Sequence, residues 1–219
     1  MRFRRQRCIC AAMVTLPVIA VACGCGLSEY EGLMASEQAR VRRIDEEDKL
    51  LDYPIEWPEK KEGEKGWVDV FFRPPKGIST KKPKQHGPVW VYSRSGNTGS
   101  ILEVWVGAAV NQSDFVKDVF KLFPTDVEKV SKSTNERSPP GRKEPLVFET
   151  RSFEDGNSAY SINVYRKGSI QAVVVFKMDR KGSDTAARDM SLESLAVEME
   201  AADARKTYNS SHKLKVRGK

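Results

Sequence analysis

Beyond residue 25 the 219-residue chain contains no cysteine. Cys8, Cys10, Cys23 and Cys25 all fall in the first 25 positions, so the body can hold neither a disulfide framework nor a zinc site built on thiolates. Histidine is nearly as scarce, with His86 and His212 alone. That leaves too few ligands for a catalytic metal, and no cofactor is expected. Long apolar runs are also missing. Charged residues make up 31% of the chain, and the longest apolar stretch falls short of the roughly 20 residues needed to span a bilayer as a helix. The formal charge of +7, from 37 Lys+Arg against 30 Asp+Glu, is concentrated at the start: removing Arg2, Arg4, Arg5 and Arg7 leaves 33 against 30, or +3. Aromatics do not interleave with the remaining positives as a single-strand binding groove requires, so no nucleic-acid partner is expected. What is present is a hydrophobic content of 39%, enough for one domain with a core.

Residues 1–25 divide into three parts. The basic "MRFRRQR" precedes the apolar "AAMVTLPVIAVA", which ends on small residues. Positive residues before a short apolar run are the layout of a secretory signal peptide. The run is too short for a permanent transmembrane anchor, and a C-x-C metal or redox pair lacks partner ligands downstream. The quartets "ACGC" (Ala22 to Cys25) and "AVAC" (Ala20 to Cys23) resemble the box that ends bacterial lipoprotein signals, in which small residues lead to the modified cysteine. The resemblance implies a signal peptide over residues 1–24, with Cys25 (alternatively Cys23) alkylated by diacylglycerol and its new amino terminus acylated. Several acyl chains hold a soluble domain to a bilayer stably where one does not. The chain is then exported and anchored to the cell membrane or outer membrane, facing the periplasm or exterior. Gly26 stands where lipoproteins of Gram-negative type often carry an Asp for inner-membrane retention, which favours the outer membrane.

Residues 25–52 read as a spacer. Leu27, Tyr30, Met34, Val41, Ile44 and Leu51 recur at threes and fours, the spacing of an amphipathic helix, and Ser28 with Glu31 fits a capping box. The stripe also approximates heptads, so a short coiled coil that oligomerises the chain is an alternative. Residues 53–66, with Pro54 and many charges, read as a linker, and residues 209–219 as a basic tail.

The body, 67–208, reads as strands at 67–73, 89–94, 101–107, 146–153, 158–166 and 169–178, with helices at 113–123 and 191–208. "SGNTGS" (95–100) is a hairpin turn, and Asn111 or Ser113 caps the first helix. Residues 127–145 form a polar, mobile connection. Residues 170–178 are apolar on both faces, as in a central covered strand. Tight hairpins demand antiparallel pairing. The expected fold class is therefore α+β: a roughly six-stranded antiparallel sheet with helices packed on it. This element order, with "FFRPPKGI" (71–78) at its start, resembles the PsbP-like fold, which implies an accessory or assembly role near membranes. The arrangement of anchor, charged helix and sheet domain is similar to bacterial lipoproteins of unknown function.

Chemistry-bearing motifs are weak. "SGNTGS" leads into a strand, whereas a phosphate cradle needs a helix. Ser79 to Lys82 and Ser210 to Lys213 match S-x-x-K, but no helical turn and no K-T-G accompany them. Glu149 with Glu154 and Asp155 is expected to face solvent, His86 to sit exposed in a loop, and Trp67 and Trp90 to serve the core. The chain is expected not to be an enzyme. The residues expected to meet an anionic partner are Arg73, Lys76, Lys81, Lys82 and Lys84, crowded on one loop; the partner would be an envelope protein or an anionic polymer. A small-ligand or catalytic cleft between sheet and helix is the alternative.

Overall fold

The computed structural model describes residues 12–60, 66–95, 99–139, 142–182 and 184–217, the side chains of 12–28 and 213–217 excepted. The amino-terminal part of the expected leader, much of the expected linker and the tip of the "SGNTGS" turn lie outside the described residues. The chain divides into two units, Met1–Asp48 and Lys49–Lys219.

The first unit carries the helix α1 (Ala12–Leu50). It runs through Ser28, so the expected cap there does not start a helix. Tyr30, Leu33, Met34 and Val41 are exposed on it, while Glu37–Arg40 and Arg43–Glu47 pair one turn apart along its surface.

The second unit runs β1 (Val70–Phe71), β2 (Lys84–His86), β3 (Val89–Ser93), β4 (Ile101–Val110), α2 (Phe115–Phe120) and a 3-10 turn (Val127–Lys129). It continues with β5 (Lys132–Arg137), β6 (Leu146–Asp155), β7 (Ser158–Lys167), β8 (Ile170–Asp179), α3 (Thr185–Glu193), β9 (Ala196–Val197) and α4 (Met199–Arg217). The fold is α+β, with helices packed on a seven-stranded sheet of order β2-β3-β4-β8-β7-β6-β5, antiparallel throughout. β8 lies at its centre with Ala172 to Phe176 buried on both sides, as its two apolar faces require.

On one face Val104, Val106, Val174, Phe176 and Phe148 pack beneath Ile55, Val68, Val70, Phe72 and Ile78, with Leu192 and Leu195 closing the layer. On the other, Trp105, Ile162, Val173 and Val175 pack beneath Phe115, Val116, Val119, Phe120 and Phe123. Each large side chain so enclosed contributes about 1.5–3 kcal/mol by leaving water.

Several expectations change. The sheet has seven strands, because β2 and β5 at its two edges were not foreseen. Both are polar, "KQH" and "KSTNER"; an edge strand has water on one side, and charges there block unwanted pairing, so neither shows apolar alternation. The connection at 127–145 thus includes a strand. Conversely the apolar 67–73 forms only β1, paired with β9 outside the main sheet. The expected linker contributes Ile55 to the core. The helix expected at 191–208 is broken around Leu195, and Glu198 adopts a φ of 55° before α4 begins. Met199, the first residue of α4, is 84% exposed. α4 continues through most of what was expected as a tail. Asn111 takes a φ of 57° at the end of β4, and the residue at the start of α2 is Asp114, with no side-chain cap.

Candidate functional site

After Leu51 the chain crosses one face of the sheet without regular structure, held by bonds to distant segments. The Ile55 N–H donates to the Phe72 carbonyl at 3.0 Å and the Glu56 N–H to the Thr80 carbonyl at 2.9 Å. The Tyr92 hydroxyl donates to the Glu56 carbonyl at 3.0 Å. Burial, followed by the Glu56 charge, pushes that phenol well above its ordinary pKa, so it remains a donor at any physiological pH. This pinning brings Trp57 to the end of the sheet. Its indole N–H donates to the Val68 carbonyl at 2.8 Å, and the Trp67 indole N–H to the Pro58 carbonyl at 3.2 Å. Each ring is therefore fixed through its polar edge, which leaves the ring faces for other contacts.

Trp57 and Trp67 line a cavity of about 210 Å³ with Trp90, Pro58, Pro88 and Phe115. Three of the chain's four tryptophans thus meet at one place. Trp90 sits on β3 directly opposite Gln85 of β2. Gln85, Gln112 and Glu59 complete the polar lining. The turn at Asn111 carries Gln112 over Gly66, where a β-carbon would collide with the Gln112 amide; the Gly66 φ of 80° also suits glycine. The Gly66 carbonyl accepts the Val110 N–H at 3.2 Å, tying the cleft's wall to the end of β4. This lining can stack against a flat apolar face, and its two amides both donate and accept hydrogen bonds. Glu59 is the one ionisable side chain among the described lining residues.

Of the residues expected to meet an anionic partner, Arg73 is corrected. It is 4% exposed. Its Nε donates to the Asp52 carbonyl at 3.1 Å, its backbone N–H to Ser194 Oγ at 2.8 Å, and its guanidinium lies 4.9 Å from the Tyr208 ring centre. A planar guanidinium can be buried when carbonyls and an aromatic face replace water, and here it fastens α4's Tyr208 beside the irregular segment. Lys76, Lys81, Lys82 and Lys84 are exposed. Lys81 and Lys82 follow Thr80, whose carbonyl holds Glu56 next to Trp57, whereas Lys84, beside Gln85 on β2, turns to the opposite face of the sheet.

The remaining candidates are tied into the structure. Ser79 Oγ donates to the Lys81 carbonyl at 3.1 Å and Ser210 Oγ to the Lys206 carbonyl at 2.9 Å; the Lys213 side chain of the second S-x-x-K lies outside the described ones. His86 lies on β2, exposed, with its ring edge-on to Trp105 at 5.5 Å. Glu149, expected at the surface, is 24% exposed and accepts from Arg151 at 2.9 Å. Burial pushes its carboxyl up, but the Arg151 hydrogen bond and the charges of Lys132, Arg151 and Arg166 outweigh that and hold its pKa below the usual value. Glu154 pairs with Arg180 at 2.7 Å. No group of three or more His, Cys, Asp or Glu among the described residues could hold a metal. Cys23 and Cys25 fall where only helical backbone is described. No helix among the described residues is long and apolar enough to cross a membrane.

Sequence reasoning missed Trp57, Gln85 and Gln112, and assigned Trp67 and Trp90 to the core alone. A signal was available: Trp57 is a large aromatic inside an otherwise charged, proline-bearing stretch, where a mere linker has no use for one.

Comparison with models of known protein families gives no match, and comparison with curated proteins gives none. Among solved structures, the chain is similar to a Bacteroides thetaiotaomicron VPI-5482 protein whose crystal structure was determined at 1.50 Å resolution. The likeness covers 63% of this chain and 50% of that one, at 11% identity and a TM-score of 0.40. The chain therefore spans about half the length of that structure, and at this similarity nothing about activity passes from one to the other.

Proposed function

We propose that this chain is a lipid-anchored, non-enzymatic binding module of the cell envelope, held to a membrane through Cys25 and receiving its ligand in the tryptophan cleft. The observation that carries the binding half is the cleft itself: three indoles gathered in one cavity, two of them held through their N–H groups. The non-catalytic reading is supported by Glu149, which is engaged by the Arg151 guanidinium and whose pKa is thereby held below the usual value. A carboxylate held ionised in this way is a poor general acid. The anchoring half rests on the basic start, the apolar run and the small residues before Cys25.

Two measurements test the proposal. Cys25→Ser is expected to abolish labelling by a radioactive or alkyne-tagged fatty acid and to release the protein from the membrane fraction. Labelling that survives Cys25→Ser but is lost with Cys23→Ser keeps the anchor and moves its site; labelling that survives both removes the anchor. For the cleft, an in-cell crosslinking pull-down from the organism's own envelope is compared between the native chain and Trp57→Ala. A captured species present with the first and absent with the second is the expected result, and an unchanged set overturns the cleft as the binding site.

A further inference from the structure

Resting on that reading, we infer that the cleft takes one sugar ring of an anionic glycan, with the ring's C–H face on an indole and its acidic substituent outside, against the lysines. Size sets the first limit. At about 210 Å³ the cavity is smaller than the roughly 300–1,000 Å³ of pockets that enclose whole drug-sized ligands. It therefore holds a single ring-sized unit of something larger.

Chemistry sets the second. A pyranose offers a flat patch of C–H bonds on one face and hydroxyls around its edge, each of which donates and accepts. The lining answers both features. Trp57 and Trp67 present faces whose polar edges are already bonded inward, and the Gln85 and Gln112 amides each carry a donor and an acceptor. Glu59 accepts from a hydroxyl but not from a carboxylate. An extended peptide would instead need a row of backbone partners or a series of aromatic ridges, and a 210 Å³ cavity gives room for neither.

Charge sets the third. Glu59 repels an anion placed inside the cleft, so the neutral ring belongs there. Exposed Lys81 and Lys82 follow Thr80, which is bonded to Glu56. A carboxylate, sulfate or phosphate carried by the sugar, or by its neighbour in the polymer, meets these cations at the rim. Such contacts between exposed charges weaken as salt screens them, so the binding should be salt-dependent while the stacking is not.

The test uses the full chain in detergent, titrated by calorimetry and intrinsic tryptophan fluorescence. The probes are oligogalacturonate, a heparin hexasaccharide, glycan strands of alternating N-acetylglucosamine and N-acetylmuramic acid, neutral chitohexaose, and an acidic proline-rich peptide. At least one anionic glycan is expected to bind saturably, shift the tryptophan emission, and lose affinity as salt rises. Trp57→Ala should weaken that glycan about tenfold, the equivalent of one aromatic contact. Because Trp57 also packs on the core, the exposed pair Gln85→Ala/Gln112→Ala provides a variant whose folding is not in question, and it should weaken binding severalfold. Lys81→Glu/Lys82→Glu should remove the salt dependence and the preference for the anionic glycan over chitohexaose. Equal, salt-insensitive binding of chitohexaose overturns the anionic assignment. Binding of the peptide but no glycan, or glycan binding untouched by the cleft variants, overturns the inference altogether. If no glycan binds while the crosslinked species is still lost with Trp57→Ala, the sugar is wrong and the cleft stands; if that species is unaffected too, the cleft reading itself fails.

Discussion

The two faces of the sheet are closed by different means. One is covered by α2, six residues long, with Phe115, Val116, Val119 and Phe120 all buried; it follows β4 directly and packs on Ile162, Val173 and Val175 of β7 and β8. The other is covered by residues 51–60 and 66–78, which have almost no regular structure of their own, joined by α3 and β9 from the far end of the domain. A helix satisfies its own backbone, whereas an irregular segment must find partners elsewhere. Here it finds them at long range: the Asp52 N–H on the Pro74 carbonyl at 2.8 Å, the Arg73 N–H on Ser194 Oγ at 2.8 Å, Tyr92 on Glu56. Trp57, Pro58, Trp67 and Val68 of this irregular cover form one wall of the cleft. A helix laid over the same face would have carried its side chains in a continuous stripe, leaving no shelf for three tryptophans.

Three substitutions probe that contrast. Phe72→Ala should do the most damage, about 3–5 kcal/mol, because Phe72 is wholly buried, packs near Phe176, and anchors a cover with little secondary structure to fall back on. The urea midpoint of the whole domain reads this out; a loss under 1 kcal/mol would mean that hydrogen bonds rather than packing hold the cover. Next is Gly107→Ala on the opposite face. A β-carbon there would lie 2.7 Å from Val89 Cγ1, 2.9 Å from the Pro88 carbonyl oxygen and 3.1 Å from Phe115 Cζ. Since a carbonyl on the paired strand cannot move aside cheaply, overpacking should cost about 1–3 kcal/mol in the same urea unfolding measurement. A neutral outcome would show that α2 shifts freely, making the helical cover the more adaptable of the two.

The smallest effect is electrostatic. Arg151, facing the side of α2, donates to the carbonyls of Val127, Glu128 and Val130 and is itself held by Glu149. With the folded-state pKa of Glu149 depressed below 4.5, its contribution is fully present above the unfolded value and disappears as pH falls through the lower folded value. Native chain and Glu149→Gln should therefore differ in thermal midpoint at neutral pH and converge in acid, below about pH 4. A difference that persists or grows in acid would reverse the sign assigned to this pair.

Much of this architecture is written in local patterns. The two-sided apolar run at 170–178 placed β8 in the middle, and the turns at "EDGN" and "KG" paired β6, β7 and β8 as neighbours. The α+β class followed from those hairpins. β2 and β5 could not be read in the same way, because an edge strand is chosen by what its neighbour offers and need not be apolar. Residues 67–73 failed in the opposite direction: their aromatic and β-branched residues mark a buried strand, and Val68, Val70, Phe71 and Phe72 are buried, yet residue type does not say whether the backbone pairs within the main sheet. Arg73 misled for a related reason, since charge on a loop predicts exposure only when no carbonyl or aromatic ring waits nearby.

By itself the sequence determined the placement of every cysteine before residue 26, the basic and apolar stretches at its start, and the covered central strand, since each depends only on residue type and short-range spacing. The tertiary structure alone decided that Trp57, Trp67 and Trp90 share one cleft with Gln85 and Gln112. Those residues come from five separate stretches of chain, brought together by long-range hydrogen bonds that no local period records.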